Sequence, residues 1–178
     1  PPVLLRDVDL DHNEKVLSNV LENQGFFQAR VQGDTVVKHR KGHAIYMAAA
    51  GYQYMIKAVI FEKDSEQLNR NMREVADKTL LIPGEPFNLE KIIQERARID
   101  VYLKEKGYYY FSPDYLIVRV DSTVGNHDVN LYVRIKLDTP PDARHIYTIN
   151  KIYIFTNYTL KSAAADTQKY HVEYHPQY

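Results

Sequence analysis

A chain of 178 residues is long enough to bury a real core, as one domain or two small ones. Its 23 basic and 23 acidic side chains cancel, which removes any long-range pull toward nucleic acid or anionic lipid. The absence of cysteine excludes disulfides, thiol catalysis and cysteine–zinc sites, and no apolar run approaches the roughly 18 residues of a bilayer-spanning helix.

The chain opens on PPVLLRDVDL with no signal-peptide pattern, which reads as a mature form or an excised piece of something larger. The spacing of Val16, Leu17, Val20 and Leu21 predicts a helix over 12–24. Asp11 caps it, Glu14 completes a capping box, and Gly25 stops it. Phe27, Ala29 and Val31 then alternate, and Val37 resumes the pattern, giving one strand with a bulge or break near Gly33. Ala44–Ala49 is a second strand, Gly51 a joint, and Tyr54, Ile56, Ala58 and Ile60 one face of a third. Asp64 to Gln67 is the next cap, opening a helix through Leu68, Met72, Val75 and Leu80. LIPGEPFN is a turn, after which Asn88 caps a helix through Ile92, Ile93, Ile99 and Leu103 that ends at Gly107. Leu116, Val118 and Val120, then Leu131, Val133, Ile135 and Leu137, predict a hairpin across TVGNHD. HIYTINKIYIF is again strand-like, and the tail from Thr159 has weak periodicity.

Two stretches, LENQGFF and LKEKGYY, place an aromatic pair directly after a helix-stopping glycine. Leu21, Gly25, Phe26 and Phe27 recur as Leu103, Gly107, Tyr108 and Tyr109, while Tyr54, Ile56, Val59 and Phe61 recur as Tyr147, Ile149, Ile152 and Ile154. The repeating unit is strand, helix, helix, strand, strand. Two helices with one apolar stripe each, laid on a three-stranded sheet with one apolar face, bury all of that surface in two layers. The fold class expected is therefore α+β. Residues 1–53 form a partial unit of helix plus hairpin, 54–143 a complete unit, and 144–178 the first strand of a following unit with a tail.

This unit resembles a POTRA (polypeptide-transport-associated) domain, of the kind found in bacterial outer-membrane protein assembly factors such as BamA and TamA. The resemblance covers roughly residues 12–158. It rests on the helix ends Gly25-Phe26 and Gly107-Tyr108, on the joint Gly51-Tyr52-Gln53-Tyr54-Met55-Ile56, and on its later counterpart Ile146-Tyr147-Thr148-Ile149. The AAAGYQYMI joint looks like that of Bacteroidetes relatives. The chain departs from the family pattern at Glu62-Lys63 and Thr156-Asn157, where Gly-Asn is usual after the opening strand, and at Pro140-Pro141, where Glu-Gly is usual before the joint.

The resemblance implies a non-enzymatic region on the periplasmic side of the outer membrane, without cofactor or metal. Its partners are unfolded or nascent outer-membrane proteins, a periplasmic chaperone or accessory lipoprotein, and the C-terminal membrane β-barrel of the full-length protein. It also implies that guests add as strands to the second strand of each unit. Carried over, that edge brings in Phe27, Ala29 and Val31, then Tyr109, Phe111, Tyr115, Ile117 and Arg119. Gly51, Tyr52, Tyr54 and Tyr147 become the inter-domain joint, and Gly25 and Gly107 the structural turns.

Two other functions compete. The same fold can dock one fixed, folded partner. A small α+β module can also bind RNA through a basic turn such as His39–Gly42 and stacked tyrosines, although the neutral charge balance and the lack of a Gly-x-x-Gly clamp argue against it. Gly125-Asn126-His127-Asp128 resembles a metallophosphoesterase turn, but the further His and Asp ligands that such chemistry needs are missing, and Asn and Asp favour hairpin turns anyway.

Overall fold

The computed structural model describes residues 4–39, 41–63 and 65–152. The first helix, α1, spans Leu10–Asn23 and is capped two residues earlier than the sequence suggests: Asp9, not Asp11, accepts the His12 N–H at 2.9 Å. Glu14 is thereby free of any capping box, and its carboxylate instead accepts the Gly33 N–H at 2.6 Å. Strand β1 (Arg30–Lys38) pairs antiparallel with β2 (Lys41–Ala49), residue for residue from Arg30–Ala49 to Lys38–Lys41. No bulge interrupts Gly33, contrary to expectation. A side chain there would press on the Tyr46 ring at 3.0 Å and on the Glu14 carboxylate at 3.1 Å, so the glycine lets α1 lie against the hairpin. Asn13 on the helix donates to the Tyr46 hydroxyl at 2.7 Å.

The remaining described elements build one layered unit. Strand β3 (Met55–Phe61), helix α2 (Gln67–Arg73), helix α3 (Leu89–Glu105) and strands β4 (Leu116–Asp121) and β5 (Asp128–Ile135) follow in chain order. β5 lies in the middle of a three-stranded mixed sheet, parallel to β3 and antiparallel to β4. The chain is thus α+β, with the strand–helix–helix–strand–strand order read from the sequence. β5 alternates buried and half-buried along its whole length, and its buried Leu131, Val133 and Ile135 meet Leu68 and Met72 of α2 and Ile99 and Leu103 of α3 in the core. Completely burying such side chains stabilises by about 1.5–3 kcal/mol each before conformational entropy is charged.

Several local expectations need correction. A register shift between Ile56 and Ala58 bulges β3 and reverses its phase, so Val59 and Phe61 pack on the core while Ile60 faces solvent. α2 is short: it ends at Arg73, a 3-10 turn over Ala76–Lys78 follows, and Leu80 lies exposed beyond both. Leu137 lies past the end of β5 and is exposed. Residues 146–152, expected as a strand, have no regular secondary structure, and the rest of that segment with the tail lies outside the described residues. Asn88 does cap α3 as expected, accepting the Glu90 N–H at 2.8 Å.

One buried charge organises the helical layer. Glu95 of α3 is fully buried, receives two hydrogen bonds of 2.8 Å from Arg98, and accepts the Leu80 N–H at 3.1 Å. Arg98 also donates to the Val75 carbonyl at 2.9 Å, so one ion pair fixes the irregular segment after α2 to α3.

Candidate binding surface: two joints and an open sheet edge

The repeated glycine-aromatic sequence is a repeated backbone structure. At the end of α1, Phe26 N–H bonds the Leu21 carbonyl at 3.0 Å and Gly25 N–H bonds that of Glu22 at 2.9 Å. At the end of α3, Tyr108 bonds Leu103 at 3.0 Å and Gly107 bonds Lys104 at 2.9 Å. Both are Schellman closures with glycine at positive φ, 91° and 96°. The next turn repeats as well, through Ala29 to Phe26 and Phe111 to Tyr108, both 3.0 Å. Each glycine carbonyl then accepts from a later tyrosine amide, Tyr54 to Gly25 at 2.9 Å and Tyr147 to Gly107 at 2.8 Å. Of the residues matched as repeats, Leu21, Gly25, Phe26 and Tyr54 thus make the same backbone bonds as Leu103, Gly107, Tyr108 and Tyr147.

The first of these joints is closed by side chains. Phe27 sits with its ring centroid 4.9 Å from Tyr54 and 4.9 Å from Phe87, a residue of the turn before α3. Gln28 donates to the Tyr54 hydroxyl at 3.3 Å, and Gln53 to the Gln24 carbonyl at 2.9 Å. On the other side Tyr52 stacks on His127 at 4.2 Å and 15°, and the His127 carbonyl accepts the Met55 N–H at 2.9 Å. Gly51 takes φ 71° in open surroundings, so its role is backbone direction and not close packing. Phe87 was not singled out from sequence, and His127 was weighed only as part of a metallophosphoesterase-like turn, not as part of this joint. Phe87 carried a signal, an apolar residue just before the Asn88 cap. His127, in a turn with three successive positive-φ residues, carried none.

At the second joint the partners among the described residues are fewer. Tyr110 packs edge-on against Tyr147 at 5.1 Å and against Tyr109 at 5.0 Å, and Tyr109 remains 70% exposed. Tyr108, by contrast, is buried and its hydroxyl accepts a hydrogen bond from Asn71 at 3.1 Å; burial raises its phenol pKa above the ordinary value, while that bond pulls the other way.

The residues expected along the two edge strands are placed differently from one another. Phe27 and Ala29 precede β1, and Val31 lies on β1 with its side chain buried. Tyr109, Phe111 and Tyr115 all precede β4: Phe111 is core, and Tyr115 closes a 3-10 turn over Pro113–Tyr115 that Ser112 caps. Only Ile117 and Arg119 of the second set stand on the strand itself. The alternating aromatics there reflect a helix-end turn, which mimics strand periodicity over a few residues.

Among the described residues β4 pairs with β5 on one side only. The Lys136 N–H bonds the Tyr115 carbonyl at 2.8 Å, and the register runs one for one from Leu116–Ile135 to Asp121–Asn130. Antiparallel pairs alternate between bonded and non-bonded, so Ile117 and Arg119 bond across to β5, while Leu116, Val118 and Val120 aim their N–H and C=O outward. The corresponding edge of β1 is partly occupied by the chain itself, since Glu14 takes the Gly33 N–H and Asp34 takes that of Thr35 at 2.7 Å. Among the described residues no three His, Asp or Glu side chains cluster as metal ligands, and no helix is long and apolar enough to cross a membrane.

A layered α+β unit, joined to a helix-and-hairpin by a shared aromatic joint, is the architecture these contacts define. Solved structures with a similar arrangement include POTRA domains 3–5 of BamA from Haemophilus influenzae, 16% identical over 71% of this chain and 46% of that one with a TM-score of 0.41. BamA from Haemophilus ducreyi lacking POTRA domains 1–3 is 15% identical over 75% and 24%, with a TM-score of 0.47. POTRA domains 1–3 of the periplasmic domain of Omp85 from Anabaena are 21% identical over 75% and 51%, with a TM-score of 0.36. The chain thus spans from about a quarter to about half of the solved chains it matches. No family model and no curated protein matches it.

Proposed function

We propose that this chain is a POTRA-type periplasmic segment of an outer-membrane assembly or translocation protein, and that it receives extended polypeptide strands at the free edge of β4. The outward row of Leu116, Val118 and Val120 backbone groups is the observation that carries this reading. An unpaired row of N–H and C=O groups accepts any extended chain through its backbone, so many client sequences suit one site. The joint at Gly25–Tyr54 supports the scaffold half of the reading, because tight packing between helix-and-hairpin and the layered unit holds the edge in a fixed setting. Residues 1–53, 54–143 and 144–178 are the partial, complete and opening units of such an array.

Val120→Pro tests the edge. Val120 is on the edge strand with its N–H outward, so proline removes a guest-facing donor without removing a bond to β5. Amide chemical shifts recorded while the chain is titrated with peptides from outer-membrane β-strands should move along Leu116–Asp121, and the variant should bind about tenfold more weakly while keeping its fold. Unchanged affinity in the folded variant would refute the edge.

Docking of a fixed, folded partner is favoured by one observation, the exposed rings of Tyr109 and Tyr110. In that case shifts on titration with a barrel peptide stay away from β4.

A further inference from the structure

The outer face of the three-stranded sheet, opposite the helices, holds a hollow of about 280 Å³ lined by Ile60, Tyr132, Arg119 and Arg134, with Phe61, Glu62 and Lys63 at the end of β3 completing the lining. Ile60 pairs with Tyr132 and Tyr132 with Arg119, so one row crosses all three strands; Arg134 lies one step along, opposite Ile117. Arg119 and Arg134 are therefore diagonal neighbours on one face, an arrangement that places two like charges side by side. Neither makes a salt bridge among the described residues. Arg134 Nε is shielded from solvent and has no hydrogen-bond partner there. Asp121, the acid nearest along β4, already accepts from the Thr123 N–H at 3.0 Å and hydroxyl at 2.7 Å. Two guanidiniums, one with an unpartnered buried donor, over an apolar and aromatic floor make a place for a carboxylate carried on a carbon chain.

The hollow begins at the edge strand. A strand added beside β4 bonds to Leu116, Val118 and Val120, and its residues opposite Ile117 and Arg119 share their face of the sheet at about 5 Å. We propose that the Arg119–Arg134 hollow is a carboxylate site that reads an acidic side chain on a polypeptide strand added at the β4 edge. This rests on the edge reading above and adds a side-chain preference to it: clients with Asp or Glu on the guest face that meets Arg119 bind best.

A set of eight-residue peptides of alternating apolar and polar residues tests it, each with one Glu moved stepwise along the chain and a Gln peptide as reference, titrated by fluorescence anisotropy. Glu on one guest face should bind about fivefold tighter than Gln, and Glu on the other face no tighter. A slip of register by two residues keeps the face, so this period of two survives sliding. The preference should vanish in Arg119→Gln/Arg134→Gln, whose melting temperature should not fall, since like charges are removed. Val120→Pro should weaken every peptide alike. Glu peptides that bind no better than Gln at any position overturn the carboxylate site and leave the edge standing. Tight binding indifferent to Val120→Pro, or no peptide binding at all, overturns both. Binding to phosphatidylglycerol vesicles that the double substitution abolishes, with no peptide preference, overturns the assignment in favour of a lipid phosphate.

Discussion

Gly25→Ala isolates what the joint contributes. The residue holds φ 91°, and a Cβ there would lie 3.1 Å from both the Phe87 Cβ and the Phe87 carbonyl oxygen and 3.3 Å from the Tyr54 carbonyl. The backbone conformation alone costs an L-residue about 1–2 kcal/mol. Two of the three contacts are with backbone oxygens that cannot rotate away, and forcing a methyl into such a site costs about 1–3 kcal/mol more. Gly84 is the control: its φ is 90° and nothing lies within 4 Å of its would-be Cβ. Urea unfolding, followed by far-UV circular dichroism and tyrosine fluorescence, should therefore show Gly25→Ala to be about 2–5 kcal/mol destabilised and Gly84→Ala only about 1–2 kcal/mol. The extra loss belongs to the contacts with Phe87 and the Tyr54 carbonyl. It should come with loss of near-ultraviolet tyrosine signal from Tyr54 and with faster amide exchange at Tyr54, whose N–H bonds the Gly25 carbonyl. Equal destabilisation of the two variants would show that the aromatic joint is not a close-packed contact in solution, and the fixed setting of the edge would go with it.

Glu95→Ala should cost about 3–5 kcal/mol in the same urea titration, because it leaves Arg98 half-enclosed without its carboxylate and the Leu80 N–H without an acceptor. The double variant Glu95→Ala/Arg98→Ala should cost less than the sum of the two single losses, since the residues share one ion pair. Tyr108 makes stability fall in alkali. Its folded pKa is raised by burial above the ordinary phenol value, so the stabilisation is complete below the unfolded pKa near about 10 and is lost as pH rises through the folded one. Tyr108→Phe should flatten that decline in a melting series between neutral pH and strong alkali, at a cost of about 1 kcal/mol for unpairing Asn71.

Much of the fold was legible because periodicity and caps agree. β5 alternates without a fault, Asn88 caps α3, and both glycines stop helices. The misreadings have physical causes. Asp9 and Asp11 are both competent caps, and the choice falls to Asp9 because the docked position of α1 puts Glu14 on Gly33. The bulge in β3 moves the core from Ile60 to Val59 and Phe61, and nothing local to those residues announces it. Of the residues expected along the second edge strand, Ile117 and Arg119 lie on β4, which among the described residues is an edge, but the aromatic run before it belongs to the helix-end turn. The difference between the edges of β1 and β4 was beyond sequence, because it depends on a carboxylate 19 residues away reaching one amide.

The two aromatic turns share a backbone down to the same four hydrogen bonds, yet they bury different amounts of side chain. Backbone closure therefore does not decide exposure; the residue that meets the second aromatic does. Phe27 has Tyr54 on one side and Phe87 on the other, and it joins the core. Its counterpart Tyr109 has, among the described residues, ring contact with Tyr110 alone and is 70% exposed. Tyrosine suits that setting where phenylalanine does not, since its apolar ring can stack while its hydroxyl stays hydrated. The exchange of Phe26-Phe27 for Tyr108-Tyr109 between otherwise matching turns thus follows local polarity: Tyr108 needs a hydroxyl to meet Asn71 inside the core, and Tyr109 needs one to face water.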